Sequence, residues 1–271
     1  MSHIGREFVK ILFQKRTYFG WVGLFLIPWL VTIAMRLSNE GPPPPGEGGP
    51  QFVFLITGNG LYVALASLFS LIGFLLPLLA SMSGSQTIAG EAENGTLRTV
   101  LMQPVRRGAL LMAKWFVANL YIAIGLFILL ASSLIAGGSI FGFDRMLLVT
   151  GQTVSVGHSI GLICVAYLFA LVAMTTVVSL AVTFSTLTNS GLTAVAAALV
   201  LVIIMLVLGG FSVFDFLEPY LFTSHFNAWL DFFSDPIDWG PIGDALANFA
   251  VWTVGLTLIA WLVFRRKDIL S

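Results

Sequence analysis

The sequence predicts an all-α polytopic membrane protein with six transmembrane helices. Two observations carry that reading and a third orients it. Of the 271 residues, 58% are hydrophobic and only 10% charged, whereas a soluble domain carries about 25% charged residues. The apolar residues gather in stretches of the length that a helix needs to cross a hydrocarbon core of about 30 Å. The lysines and arginines are confined almost entirely to alternate connections between those stretches.

The stretches run at about 18–37, 60–85, 114–137, 157–184, 191–211 and 245–264. None alternates as the strands of an outer-membrane barrel do, and each is too long for a barrel strand. The first follows a charged lead without a small-residue cleavage site, so it is read as a retained anchor. The whole of 1–271 is read as a single transmembrane domain. Eleven of the 13 lysines and arginines flank span one, lie between spans two and three, or follow span six, and only Arg36 and Arg145 fall on the other side. The positive-inside rule then places both termini in the cytosol.

Ahead of span one, Ile4, Phe8, Ile11 and Leu12 recur at helical spacing, with Arg6, Lys10 and Gln14 off that face. This predicts an amphipathic helix lying along the inner membrane surface. Residues 38–51, with Gly41 to Pro45 and then Gly46, Gly48, Gly49 and Pro50, predict an extended polyproline-like loop. Residues 212–244 hold nine aromatic and six acidic side chains and no lysine or arginine. That composition predicts short interfacial or re-entrant helices in the outer headgroup region before span six, as an aromatic belt or a cargo gate.

The centres of all six stretches lack Asp, Glu, Lys and Arg. Ion and proton carriers place such groups inside the bilayer despite a cost of about 2.5–3.5 kcal/mol each. The hydroxyls of Ser67, Ser70, Thr175, Thr176, Ser179 and Thr183 can return hydrogen bonds to their own helix or a neighbour. Gly157 and Gly161, and Ala194 to Ala198, offer small surfaces for close helix approach. His3, His158 and His225 are far apart, and Cys164 stands alone in an apolar block. No catalytic residue, no metal ligand set and no nucleic-acid-binding surface is assigned.

The segment Gly90–Lys114 carries the information. Glu91 and Glu93 lead into Asn94, Gly95 and Thr96, then an apolar run with Leu97, Val100 and Leu101 that Pro104 ends. Asn94 or Thr96 suits the start of a short helix, and acids near its beginning suit the helix dipole. One apolar edge between charged flanks fits a groove on a cytosolic partner. A plain connector whose arginines Arg98, Arg106 and Arg107 only hold topology is the alternative. The spacing of Glu91, Gly95-Thr96-Leu97, Pro104, Arg107 and Lys114 resembles the signature of type-2 ABC transporter permeases, between the same two spans. The ending Phe264-Arg265-Arg266-Lys267-Asp268 is similar to that family's usual end.

The resemblance implies a permease subunit, working as a homo- or heterodimer, each unit resting on a separate cytosolic ABC ATPase. It implies that Glu91, Glu93, Gly95, Thr96, Leu97, Arg98, Leu101, Pro104, Arg107 and Lys114 form the ATPase-coupling segment, as a coupling helix between spans two and three. It also implies that spans one and five line the dimer interface and cargo path. Cargoes in the family include drugs, peptides, lipids and polysaccharides, and the lack of buried charge favours an apolar or amphipathic one, moved outward across a prokaryotic plasma membrane. No Gly-x-x-x-x-Gly-Lys-Ser/Thr phosphate loop occurs, so the chain is expected to be no enzyme itself and to hold no cofactor, with ATP bound by the partner. The rival reading is a membrane accessory protein or secondary carrier with no ATPase partner.

Overall fold

A computed structural model describes residues 15–37, 58–95, 107–148 and 152–266. The amphipathic lead, the proline-rich loop and residues 96–106 lie outside them. The described chain is helical apart from short connections and one two-stranded ribbon, and it is an all-α, multi-pass integral membrane protein. Helix α1 is Lys15–Leu37, α2 Leu61–Ile72, α3 Leu75–Ser85, α4 Ala89–Glu93 and α5 Arg107–Ile140. Strands β1 (Met146–Leu147) and β2 (Thr153–Val154) precede α6 (Val156–Leu187) and α7 (Gly191–Leu208). Two 3₁₀ helices, Ser212–Tyr220 and Phe222–Phe233, lead into α8 (Trp239–Arg266).

Five of these helices are long and apolar enough to cross a bilayer, and the bent pair α2 and α3 makes a sixth candidate crossing if its halves form one span. Helix α5 has 34 residues, about 51 Å at 1.5 Å per residue. It outruns the hydrocarbon core, so Arg107 to Lys114, read from sequence as a connection, is its first two turns.

The second stretch looked continuous from 60 to 85. Its two halves meet at 58°, with Phe74 outside helical geometry at φ −136°. The cause is local. Pro77 has no amide hydrogen, and its ring crowds the carbonyl four residues earlier, which belongs to Gly73. Gly73 itself stays helical at φ −76°, the chain departs at Phe74, and the helix restarts at Leu75.

The core runs through α2, α3, α5 and α6 and continues into α7, the second 3₁₀ helix and α8. Tyr167 of α6 donates a hydrogen bond to the Ala64 carbonyl of α2, at 2.9 Å. The backbones of Gly60 and Gly137 touch, leaving no room for a side chain at either position. Gly84 of α3 lies against α6, where an added Cβ would come within 2.8 Å of the Ala181 methyl. By contrast, a Cβ at Gly157 or Gly161 would meet nothing within 4 Å, so that pair packs against no described part of the chain. Helix α1 rests on α5 through the stacked rings of Trp21 and Tyr121, with centroids 5.4 Å apart. The Ser132 hydroxyl adds a bond to the Phe25 carbonyl. The outward faces of α1, α7 and α8 are apolar and exposed, as a lipid-facing surface requires.

The hydroxyls of α6 behave as polar fasteners. Thr176 meets the Thr253 hydroxyl of α8 at 3.0 Å, and Thr183 donates to the Leu256 carbonyl at 3.0 Å. Ser179 accepts the Trp115 indole N–H of α5 at 2.8 Å.

The aromatic segment divides into two unlike halves. In the first 3₁₀ helix, Val213, Phe216 and Tyr220 are exposed. In the second, Phe222, Phe226, Trp229, Phe232 and Phe233 are buried against α6, α7 and α8. Phe169 of α6 meets both Phe232 and Phe249 edge-on. Asn248 and Trp252 of α8 donate to the carbonyls of Pro219 and Tyr220, at 2.7 and 2.9 Å. The segment therefore caps the ends of the spans rather than floating above them.

Candidate functional site

The candidate site lies at the opposite end, where α4 joins α3 to the bases of α5, α6 and α7. Its elements are held by contacts distant in sequence. Helix α4 begins at Ile88, an N-cap residue with no polar side chain to receive the first amides. Such amides need a partner. Ser185, near the end of α6, supplies it: its hydroxyl oxygen accepts from the amides of Ile88 at 3.1 Å and Ala89 at 2.8 Å. The same hydroxyl donates to the Ser85 carbonyl at 2.8 Å. One side chain of span four thus fastens both the end of α3 and the start of α4.

The acids of α4 point to different neighbours. Glu91 Oε1 meets Lys114 Nζ at 2.8 Å, with both side chains buried at 5% and 2% exposure. Burying either charge alone is expensive, so each helps to make the other tolerable. Lys114 lies two turns inside α5, and that depth brings it over α4. Glu93 Oε2 accepts a hydrogen bond of 2.8 Å from the Gly191 amide. Gly191 is the first residue of α7, so the carboxylate meets both an orphan amide and the positive end of the helix dipole.

Close backbone approach explains two glycines here. The Gln86 side chain is wedged between α4 and α7. A Cβ at Gly90 would collide with Gln86 Oε1, and one at Gly191 would come within 2.9 Å of Gln86 Nε2. Gly95 has a different reason. It adopts φ +68°, the left-handed conformation that stops a helix and that glycine enters without penalty. Its amide returns to the Ala92 carbonyl at 3.1 Å. Asn94, suited from sequence to starting a helix, is the C-cap of α4, and its side-chain amide donates to the Gly90 carbonyl at 2.6 Å.

Of the ten residues singled out from sequence, Glu91, Glu93, Gly95, Arg107 and Lys114 are described. Thr96, Leu97, Arg98, Leu101 and Pro104 lie outside the described residues. The structure brings Glu91 and Lys114 together and carries Glu93 to α7. Arg107 stands apart, donating to the Arg265 carbonyl of α8 at 3.2 Å. That bond places the start of span three and the end of span six at one end of the molecule. Sequence reasoning missed Gln86, Ser185 and Gly191. A serine near a span end and a glycine at a helix start are ordinary, and nothing in their spacing points to α4.

Among the described residues, the arrangement brings no nucleophile or acid–base pair to a cavity. It is a mechanical junction: a five-residue helix bonded to α5 by an ion pair, to α6 by a hydroxyl and to α7 by a cap.

A family model described as "ABC-2 family transporter protein" matches residues 25–269. The chain is 40% identical over 72 residues to a protein of Pseudomonas aeruginosa named "Probable ABC transporter permease protein NosY". It is 41% identical over 64 residues to a protein of the same name from Stutzerimonas stutzeri. These alignments cover 27% and 24% of this chain and 26% and 23% of the relatives, about a quarter of each.

Proposed function

The chain belongs to the ABC-2 family of transporter proteins, and from that premise we propose that it is the membrane-spanning permease subunit of an ABC exporter, driven by a separate cytosolic ATPase. The observation that carries the reading is the double anchorage of α4. Within three residues, Glu91 is fixed to span three and Glu93 to the first amide of span five. A push on the segment that follows α4 is therefore delivered to two spans at once, without passing through a loop of free backbone. A plain connector needs neither bond.

In this reading residues 90–114 form the coupling segment, with Leu97, Leu101 and Pro104 offering the apolar edge to the ATPase. The assembly is a dimer of permease subunits with span one and span five around the cargo path, and both termini are cytosolic in a prokaryotic plasma membrane. The permease names of the relatives support the transport role. The apolar spans favour an apolar or amphipathic cargo. ATP is bound by the partner, and residues 1–271 act as one transmembrane domain.

The test is reconstitution of the chain with its candidate ATPase. Leu101→Asp is expected to abolish complex formation. Glu93→Ala is expected to leave the complex assembled while lowering transport per ATP hydrolysed. Assembly and ATP-linked transport that survive both substitutions would refute the reading.

A further inference from the structure

A second feature lies at the same end of the molecule, apart from α4. Between the start of α5 and the end of α8 opens a cleft of about 670 Å³, lined by Arg107, Gly108, Ala109, Met112, Trp261 and Arg265. Among the described residues that lining carries the guanidinium groups of Arg107 and Arg265. The walls are fixed. Arg107 donates to the Arg265 carbonyl at 3.2 Å, and the Arg265 guanidinium stands 4.6 Å from the centre of the Trp261 ring. Gly108 makes room for that ring, since a Cβ there would lie 2.6 Å from the indole nitrogen. An apolar wall continues from the cleft: Met112 of its lining is exposed on α5, and beyond the cleft Leu258 and Leu262 are exposed on α8, one to two turns toward the middle of the span.

We propose that this cleft binds the phosphate of an anionic diacyl phospholipid from the surrounding leaflet. The Arg265 guanidinium faces the phosphodiester, which arginine recognises through paired, charge-assisted hydrogen bonds. The acyl chains lie along the exposed apolar faces of α5 and α8. Trp261 sits at headgroup level, where tryptophan is favoured, and its ring holds the Arg265 cation in place. A phosphate compound from the aqueous phase would gain the charges and leave the apolar wall unused, so the lipid is the better match. The proposal requires only that the chain spans a membrane and does not depend on the permease reading.

The test uses the full chain in nanodiscs of mixed phosphatidylcholine and phosphatidylglycerol, with retained lipids counted by native mass spectrometry. One arginine near a membrane surface contributes about 1 kcal/mol toward anionic lipid, a preference of about fivefold. The wild type is expected to retain phosphatidylglycerol over phosphatidylcholine by at least that factor. Arg265→Gln is expected to bring the ratio near parity. Arg36→Gln, which removes a cation from the last turn of α1, is expected to leave it unchanged. Trp261→Leu removes the ring but no charge and gives a second reading should Arg265→Gln unfold. Its ratio must also fall. An unchanged ratio in either cleft variant, or an equal loss in Arg36→Gln, overturns the proposal. Displacement of the lipid by excess inorganic phosphate would overturn the assignment to lipid.

Discussion

The Glu93 carboxylate and the Gly191 amide, 98 positions apart in sequence, are joined by a hydrogen bond of 2.8 Å. Span five thus begins under a cap supplied by another part of the chain. Loss of a capping side chain costs about 0.5–2 kcal/mol, so Glu93→Ala is expected to lower the thermal unfolding midpoint of the detergent-solubilised protein. Hydrogen exchange should quicken at the first amides of α7 and stay unchanged in α5. Glu93→Gln keeps an acceptor and should lose less.

The Glu91–Lys114 pair calls for a different experiment. Removing one member of a buried pair leaves the other charge uncompensated, at about 3–5 kcal/mol. Glu91→Gln and Lys114→Met are each expected to destabilise strongly. The double variant should cost clearly less than their sum, and a double-mutant cycle measures the difference. Additive effects would show that the two side chains do not act as a pair.

The hydroxyl bonds from α6 to α8 should be modest contributors. Interhelical hydrogen bonds inside membranes average about 0.6 kcal/mol. Thr176→Val and Thr183→Val are therefore expected to produce small shifts, and a combined variant their approximate sum, read by unfolding in mixed micelles.

Asp231, in the second 3₁₀ helix, has its carboxyl pushed above the ordinary carboxylate range, first by burial and then by the neighbouring charge of Asp238. A raised value means the fold disfavours the ionised form. Stability at this position is lost as pH rises from the ordinary carboxylate value through the raised one, and it is unaffected below both. Asp231→Asn is accordingly expected to raise the unfolding midpoint near neutral pH and to match wild type in strong acid.

The membrane class of the fold was legible because hydrophobic length is a one-dimensional property, and blocks such as 157–184 declare themselves in any reading. The junction was only half legible. Glu91, Glu93 and Lys114 stood out because charge beside an apolar span is conspicuous. Their partners did not, because Ser185 and Gly191 are ordinary residues brought to α4 by packing between helices far apart in sequence. The break at Phe74 had a signal in Pro77, but proline is tolerated in membrane helices, and the apolar run hid it. The aromatic segment showed its affinity for the interface, while the burial of Phe222 to Phe233 depends on a space between α6, α7 and α8 that no local pattern encodes.

The bend in the second crossing has a consequence for how displacement spreads. A straight helix moves as a rod, and a shift at one end appears at the other. Here α2 is keyed to α5 through Gly60 and Gly137, whereas α3 is seated on α6 through Gly84. The two halves thus make their closest backbone approaches to different helices, with Phe74 as the joint between them. A displacement of α4 would act first on the helices bonded to it, α5, α6 and α7, while the far end of α2 is held by separate bonds from Asn59 and Tyr62 to the connection after α5.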